Sequence, residues 1–280
     1  MEIPIKLFSL CISLIVIIIL GLSGQSYAKI DLVTCAGAWV FNDPSAEVLS
    51  DISGNGNDCN VKGKPKSAEG MFGKAMDFDA VDDLVECPDN DMLDVGTGNF
   101  SVVAWIKCAK YDPGEWEAQI IFKLDHTVPR HGYLLAVRGS LDAGNKNKPV
   151  FIMGLGDASG IHTFGTSPIN DDTWHHLAVT VDRSNSVIMY RDGEIEAQQN
   201  IAGYAKQNED NVKPFNIGSE TGTPGRYIKG AIDDVALFKT VLTPADISDL
   251  MNFGLEKTLG GKAVQPSDKL ASTWADVKTR

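Results

Sequence analysis

Positive charge is scarce in this sequence. Its 280 residues carry 25 Lys and Arg against 37 Asp and Glu, a formal net charge of −12. That excludes nucleic acid as a partner, because no basic surface is available to neutralise phosphates. The same acidity suits a cation-binding extracellular surface. Cysteine is scarce too. Five are present and none forms a C-x-x-C pair. The separations of 24, 28 and 21 residues between Cys35, Cys59, Cys87 and Cys108 match no zinc-site pattern. Helical periodicity is almost missing, and no repeat of solenoid length occurs, so bundles and solenoids are excluded.

Long apolar runs are equally few. The one clear example, Leu7 to Leu22, follows Lys6 and gives way to "SYA" ending at Ala28. It is shorter than the ~20 apolar residues that a membrane-spanning helix needs. Residues 1–28 therefore read as an export signal cleaved after Ala28, leaving no membrane span. Cys11 leaves with the signal, and an even number of cysteines remains in an exported chain. At least one disulfide is expected. Four cysteines allow three pairings. We expect Cys35–Cys59 and Cys87–Cys108, because each pair ends neighbouring strand segments in sequence.

What the chain has in quantity is short strands. "CAGAWVFN" is apolar and ends in loop-forming "NDPS", and "SGNGND" is a turn cluster. "NFSVVAWIKC" is apolar on both alternating faces, as expected of a central strand covered on both sides. In "DTWHHLAVTVDRSNSVIMYRDGEIEAQ" two strands precede Asp192–Gly193, a strong hairpin signal. The single helix is "TPADISDLMNFG", with Thr243 as N-cap, Pro244 in the first turn and Gly254 as its stop. The fold class that follows is all-β: a two-sheet antiparallel jelly-roll β-sandwich with one short C-terminal helix.

"GAIDDVALFKTVLTPADI" poses a problem. A strand burying Ile232, Val235 and Leu237 carries two adjacent carboxylates, Asp233 and Asp234. Strand alternation predicts that they point to opposite faces. Asp233 would then need a cation or several backbone donors, and Asp234 would face water or a basic side chain.

These segments, with "DISGNGNDCNV", "GMFGKAMDFDAVDDLVECPD", "TWHHLAVTVD", "VIMYRDGE" and "FNIGSE", occur in the order seen in one family. The chain resembles the laminin-G-like jelly-roll domains of the concanavalin A-like lectin/glucanase superfamily. The resemblance implies a domain over residues 29–254 with two sheets packed face to face and one outer face concave, and from Leu255 the pattern dissolves, so 255–280 read as a flexible tail. It also implies a structural calcium between the end of the first strand and the last strand, with Asn42 and Asp233 as ligands. The architecture hosts adhesion modules, lectins and glycosidases alike. Glucanases of this superfamily carry E-x-D-x-x-E along one strand, and no such run exists here. The expected function is accordingly that of a secreted, non-enzymatic domain binding carbohydrate or another extracellular ligand such as a protein. A structural or adhesive cell-surface protein is the alternative.

Trp116, His126, Arg130, His131 and His162 lie in polar loops rich in Gly and Pro and are the candidate ligand-binding residues, with Lys146 nearby in sequence. Exposed rings stack on sugar faces, and basic groups donate to hydroxyls. Asp79, Asp82 and Asp83 form a second acidic cluster, which needs either solvent or a cation. Trp39 and Trp105 read as core. Trp174, His175 and His176 begin a strand, where adjacent histidines face opposite ways and do not chelate one ion.

Overall fold

The computed structural model describes residues 30–260, apart from positions 113, 115, 159 and 224. Residues 1–28, expected to be an export signal, and the residues beyond 260 lie outside the described residues.

Two antiparallel sheets of eight strands form a sandwich. The first has the order β14 (Glu194–Asn200), β13 (Ser186–Arg191), β12 (Trp174–Val181), β7 (Phe100–Cys108), β16 (Lys229–Phe238), β5 (Lys74–Asp79) and β4 (Lys66–Glu69). Strand β1 (Cys35–Trp39) also pairs with β16, alongside its second half, while β5 pairs with its first half. The second sheet runs β11 (Ile161–Phe164), β10 (Pro149–Met153), β9 (His131–Val137), β8 (Ala118–Asp125), β15 (Phe215–Ile217), β6 (Leu84–Cys87), β3 (Cys59–Lys62) and β2 (Val48–Leu49). The interior is filled from both sheets: Trp39 of β1 stacks on Phe215 of β15 with ring centroids 4.9 Å apart, and Phe100 packs against Tyr133 and Phe151. Trp105 is buried elsewhere. It lies outside this interior, tilted against His176 at 5.1 Å.

The turn cluster does more than reverse the chain. Asp51 accepts from Ala38 N, while the Asn55 and Asn57 amides donate to the carbonyl of Ala36, and that of Asn55 also to Cys35. Ile52 N adds a bond to the Ala38 carbonyl. Side chains thus serve the edge of β1 that no strand covers.

Helix α1 (Pro244–Thr258) opens with a capping box between Thr243 and Asp246, and Pro244 stands in its first turn, as expected. Gly254 (φ +74) interrupts the helix without ending the fold. Ile247, Leu250, Leu255 and Leu259 all pack with Val103, Ala178, Ala236 and Phe238 on the outer face of the first sheet. The folded region therefore extends past the boundary at 254, because two further leucines find an apolar surface there.

The disulfide is Cys59–Cys87, which corrects the expected pairing. Sequence neighbours are not sheet neighbours here: β3 lies beside β6, which brings Cys59 next to Cys87. Cys35 and Cys108 sit in the other sheet as buried thiols, and burial pushes each up to about 12.

The two aspartates also depart from expectation. Ile232, Val235 and Leu237 enter the sandwich interior, so two residues instead of one separate the first pair. The register against β7 shifts between Asp233 and Ala236, and Asp234 adopts φ +47, a conformation Asp tolerates better than most residues. A bulge has replaced alternation. Both carboxylates are buried, with relative exposures of 0 % and 4 %, so Asp234 faces neither water nor a basic side chain.

Candidate functional site

α1 covers the outer face of the first sheet, so the second sheet carries the accessible surface of interest. Along β8, Ile121 points into the sandwich, while Phe122 and Leu124 belong to a separate cluster with Leu134, Ala136, Val150 and Ile152 on the outer face. Where β8 meets β15, this apolar face opens into a cleft of about 240 Å³ lined by Phe122, Asp125, His126, Asn216, Glu220 and Thr221.

The charged wall of the cleft is built around Glu117. This buried carboxylate takes Arg138 Nη1 on one oxygen at 2.7 Å and Arg226 Nη1 on the other at 2.6 Å. The Arg226 guanidinium also stands 5.4 Å from the centre of the Trp116 ring, approaches Glu220 at 3.4 Å and reaches His126 Nε2 at 3.3 Å. His126 folds back over Phe122, ring centroids 5.6 Å apart, and its Nε2 faces Glu220 at 3.3 Å. Trp116 remains 48 % exposed. Such a half-open ring held by a cation is prepared to stack on an apolar face.

The floor is Asn216, only 1 % exposed and paired in register with Phe122 and Glu86. Its Oδ1 accepts from Thr221 Oγ1, while its Nδ2 has no protein partner. A buried N–H without an acceptor is costly, which marks this amide as a donor available to a ligand. Thr221 also donates to Glu86. Burial works against the Glu86 carboxylate, but hydrogen bonds from Lys62 and Thr221 outweigh it and hold the group below its ordinary range.

Of the residues singled out from sequence, Trp116 and His126 converge here through Arg226. The others do not line the cleft. His131 Nδ1 lies 2.7 Å from the Asn208 carbonyl, and Arg130 N donates to the Asp157 carbonyl. His162 stands on β11 beside Phe164, and Lys146 pairs with Asp112 at 2.7 Å. Sequence reading missed Glu117, Arg138, Asn216, Glu220 and Arg226. One signal was present: a polar Asn at the centre of the otherwise apolar "FNI".

The histidine pair is structural. His175 bridges Asp192 at 2.8 Å and Asp171 at 3.3 Å, and these partners, Asp192 first, raise its pKa above the ordinary value. Burial pushes His176 down to about 4, so it is neutral.

Asn42 and Asp233, the calcium ligands that the resemblance implies, both hold the turn between β4 and β5. Asn42 Oδ1 accepts from Lys74 N at 3.0 Å, Asp233 Oδ2 from Phe72 N at 3.1 Å and Asp233 Oδ1 from Asp234 N at 2.9 Å. Each of these three oxygens thus takes one backbone N–H. Burial raises Asp233 to about 6 despite these donors. Asp234 reaches about 8, from burial and then the charge of Asp233, with Leu255 N donating to its Oδ2 at 2.7 Å. Carboxylates able to share a divalent cation converge elsewhere: oxygens of Asp79, Asp82 and Asp83 lie within 4.8 Å of one another. Asp83, the buried member, is pushed up by desolvation while accepting from Lys64 N and Asp79 N.

Two carboxylates line the cleft, and neither is placed as a glycosidase acid. Burial pushes Asp125 up, but its bonds from Thr127 and the nearby Lys213 outweigh that and leave it below its ordinary range. Glu220 is engaged by Arg226 and His126. A glycosidase acid is a carboxyl held protonated, and neither of these two is placed to serve as one.

Comparison with known proteins agrees on architecture. The binding domain of Paraclostridial Mosquitocidal Protein 1 superposes with a TM-score of 0.65 at 15 % identity, over 79 % of this chain and 52 % of that one. The binding domain of Botulinum neurotoxin DC in complex with rat synaptotagmin II gives 0.62 at 14 % identity, over 80 % and 52 %. The chain thus spans about half the length of these toxin domains. Domain 4 of AbnA, a GH43 extracellular arabinanase from Geobacillus stearothermophilus, in complex with arabinotriose, gives 0.60 at 18 % identity, over 78 % of this chain and 98 % of that one. No curated protein matches the sequence. A family model described as "Concanavalin A-like lectin/glucanases superfamily" matches residues 79–248, more than half of the chain, and the protein belongs to that superfamily.

Proposed function

We propose that this protein is an exported carbohydrate-binding domain that takes its ligand in the cleft between β8 and β15. The observation that carries this reading is the unspent amide of Asn216 in a cleft lined by His126 and Phe122, with the half-exposed Trp116 ring held by the Arg226 that also reaches His126. Sugars present this combination of an apolar ring face and a rim of hydroxyls. Support also comes from the arabinanase domain, a similar structure of matching length whose complex contains arabinotriose. Export is supported by the disulfide and by the N-terminal apolar segment. No helix among the described residues is long and apolar enough to cross a membrane. Where calcium binds, we assign it to Asp79, Asp82 and Asp83.

A glycan array on the exported chain, run with and without calcium and repeated with Trp116→Ala, tests this reading. Binding that Trp116→Ala abolishes is the expected result. An adhesive role without a small-molecule site is the second reading, favoured by the neurotoxin domain whose complex contains a protein. Silence across the array would select it.

A further inference from the structure

We infer that the cleft between β8 and β15 selects uncharged sugars and rejects their carboxylated counterparts. The inference rests on the carbohydrate reading above and goes beyond it by naming the ligand class.

Charge around the cleft is fully committed. Arg138 and Arg226 both donate to Glu117, and Arg226 Nε also faces the Glu220 carboxylate at 3.4 Å without a hydrogen bond. Lys213 faces Asp125 at 3.7 Å, and Lys62 holds Glu86 at 2.7 Å. Among the described residues around the cleft, every one of these cations is therefore already compensated by a carboxylate. A sugar carboxylate entering here would lose its hydration and find no uncommitted cation, while meeting Asp125, Glu220 and Glu86 nearby. An ion buried on those terms is strongly disfavoured. The overall charge of −12 adds long-range repulsion.

Hydroxyl groups are treated differently. An ionised carboxylate offers about four lone-pair positions, so Glu220 and Asp125 keep acceptor capacity after their ion pairs are made. Asn216 Nδ2 supplies the complementary donor from the floor. A sugar hydroxyl both donates and accepts, so one group can serve a carboxylate and the amide together. His126, folded over the buried Phe122, presents a partly exposed ring face to the cleft, with Trp116 held beyond it by Arg226. The cleft of about 240 Å³ equals the liquid volume of about eight waters, the scale of a single sugar ring.

The test uses the exported chain and matched pairs differing only at C6: galactose and galacturonic acid oligomers, and glucose and glucuronic acid oligomers. Isothermal titration should show a neutral member of at least one pair binding, with its acid at least tenfold weaker. Neutral binding should be nearly independent of salt. Glu220→Gln frees part of the Arg226 charge and should shrink the discrimination against the acid. Asn216→Ala should weaken the neutral ligand about tenfold, and Thr221→Val, at an exposed position, gives a second variant should Asn216→Ala fail to fold. Acids binding as tightly as their neutral partners would overturn the inference and leave the carbohydrate reading intact. If no oligomer of either kind binds, both fall.

Discussion

Asp234 is the most demanding residue in the fold. Replacing it with asparagine tests why it is tolerated. Its carboxyl is raised from 3.8 to about 8, by burial first and then by Asp233. A group whose folded pKa lies above its unfolded value contributes stability that is fully present below the unfolded pKa. That contribution is lost as pH rises towards the folded pKa. For Asp234 the window runs from near pH 4 to near pH 8. Each pH unit across that window is worth about 1.4 kcal/mol, so at pH 8 the isolated effect is on the order of 5 kcal/mol, an upper bound that coupling to Asp233 reduces. Asp234→Asn keeps an oxygen for Leu255 N and removes the titration. Its unfolding free energy, from urea titrations between pH 4 and 8.5, should match wild type near pH 4. It should exceed wild type by about 2–4 kcal/mol at pH 8. Parallel pH profiles for the two proteins, or a variant weaker at pH 8, would refute the reasoning.

Four further outcomes are expected. His175 is raised by Asp192 and Asp171, so its stabilising contribution is present at low pH and lost as pH climbs through its folded pKa; His175→Gln should flatten the melting profile there. Replacing Cys59 and Cys87 by alanine should cost about 3.5 kcal/mol in the chain-entropy model, while Cys35 and Cys108 should resist thiol reagents until the protein unfolds. Lys123 Nζ is buried among Asp89, Asp94 and the carbonyls of Asn211 and Lys213, so Lys123→Met, which strands those oxygens, should destabilise by about 3–5 kcal/mol in denaturant titrations. Any calcium-dependent rise in melting temperature should disappear in Asp79→Asn with Asp82→Asn and persist in Asp233→Asn.

The sandwich was legible because its signals are local. The two-faced apolar run of β7, the Asp192–Gly193 turn and the Thr243 cap each act within a few residues. Contacts that depend on which strands become neighbours were hidden. Cys59 meets Cys87 because β3 borders β6, and Arg226 reaches Glu117 across 109 positions of sequence. Asp233 and Asp234 failed for a subtler reason. Period-two reasoning assumes an unbroken strand, and the bulge falls where β16 changes partners. Trp116 and His126 could be nominated as loop residues with chemistry, but the cation joining them lies a hundred residues further on.

The side chains of Asp51, Asn55 and Asn57 have a bearing on whether copies of the protein stay separate. The uncovered edge of β1 would otherwise present the carbonyl of Ala36 and both backbone groups of Ala38 to any passing chain. Such an edge templates strand addition between molecules. Here a polar loop has already occupied those groups, and it has no regular backbone ladder of its own to continue the sheet. The domain can therefore accumulate at high local concentration without being zipped into polymers along its first strand.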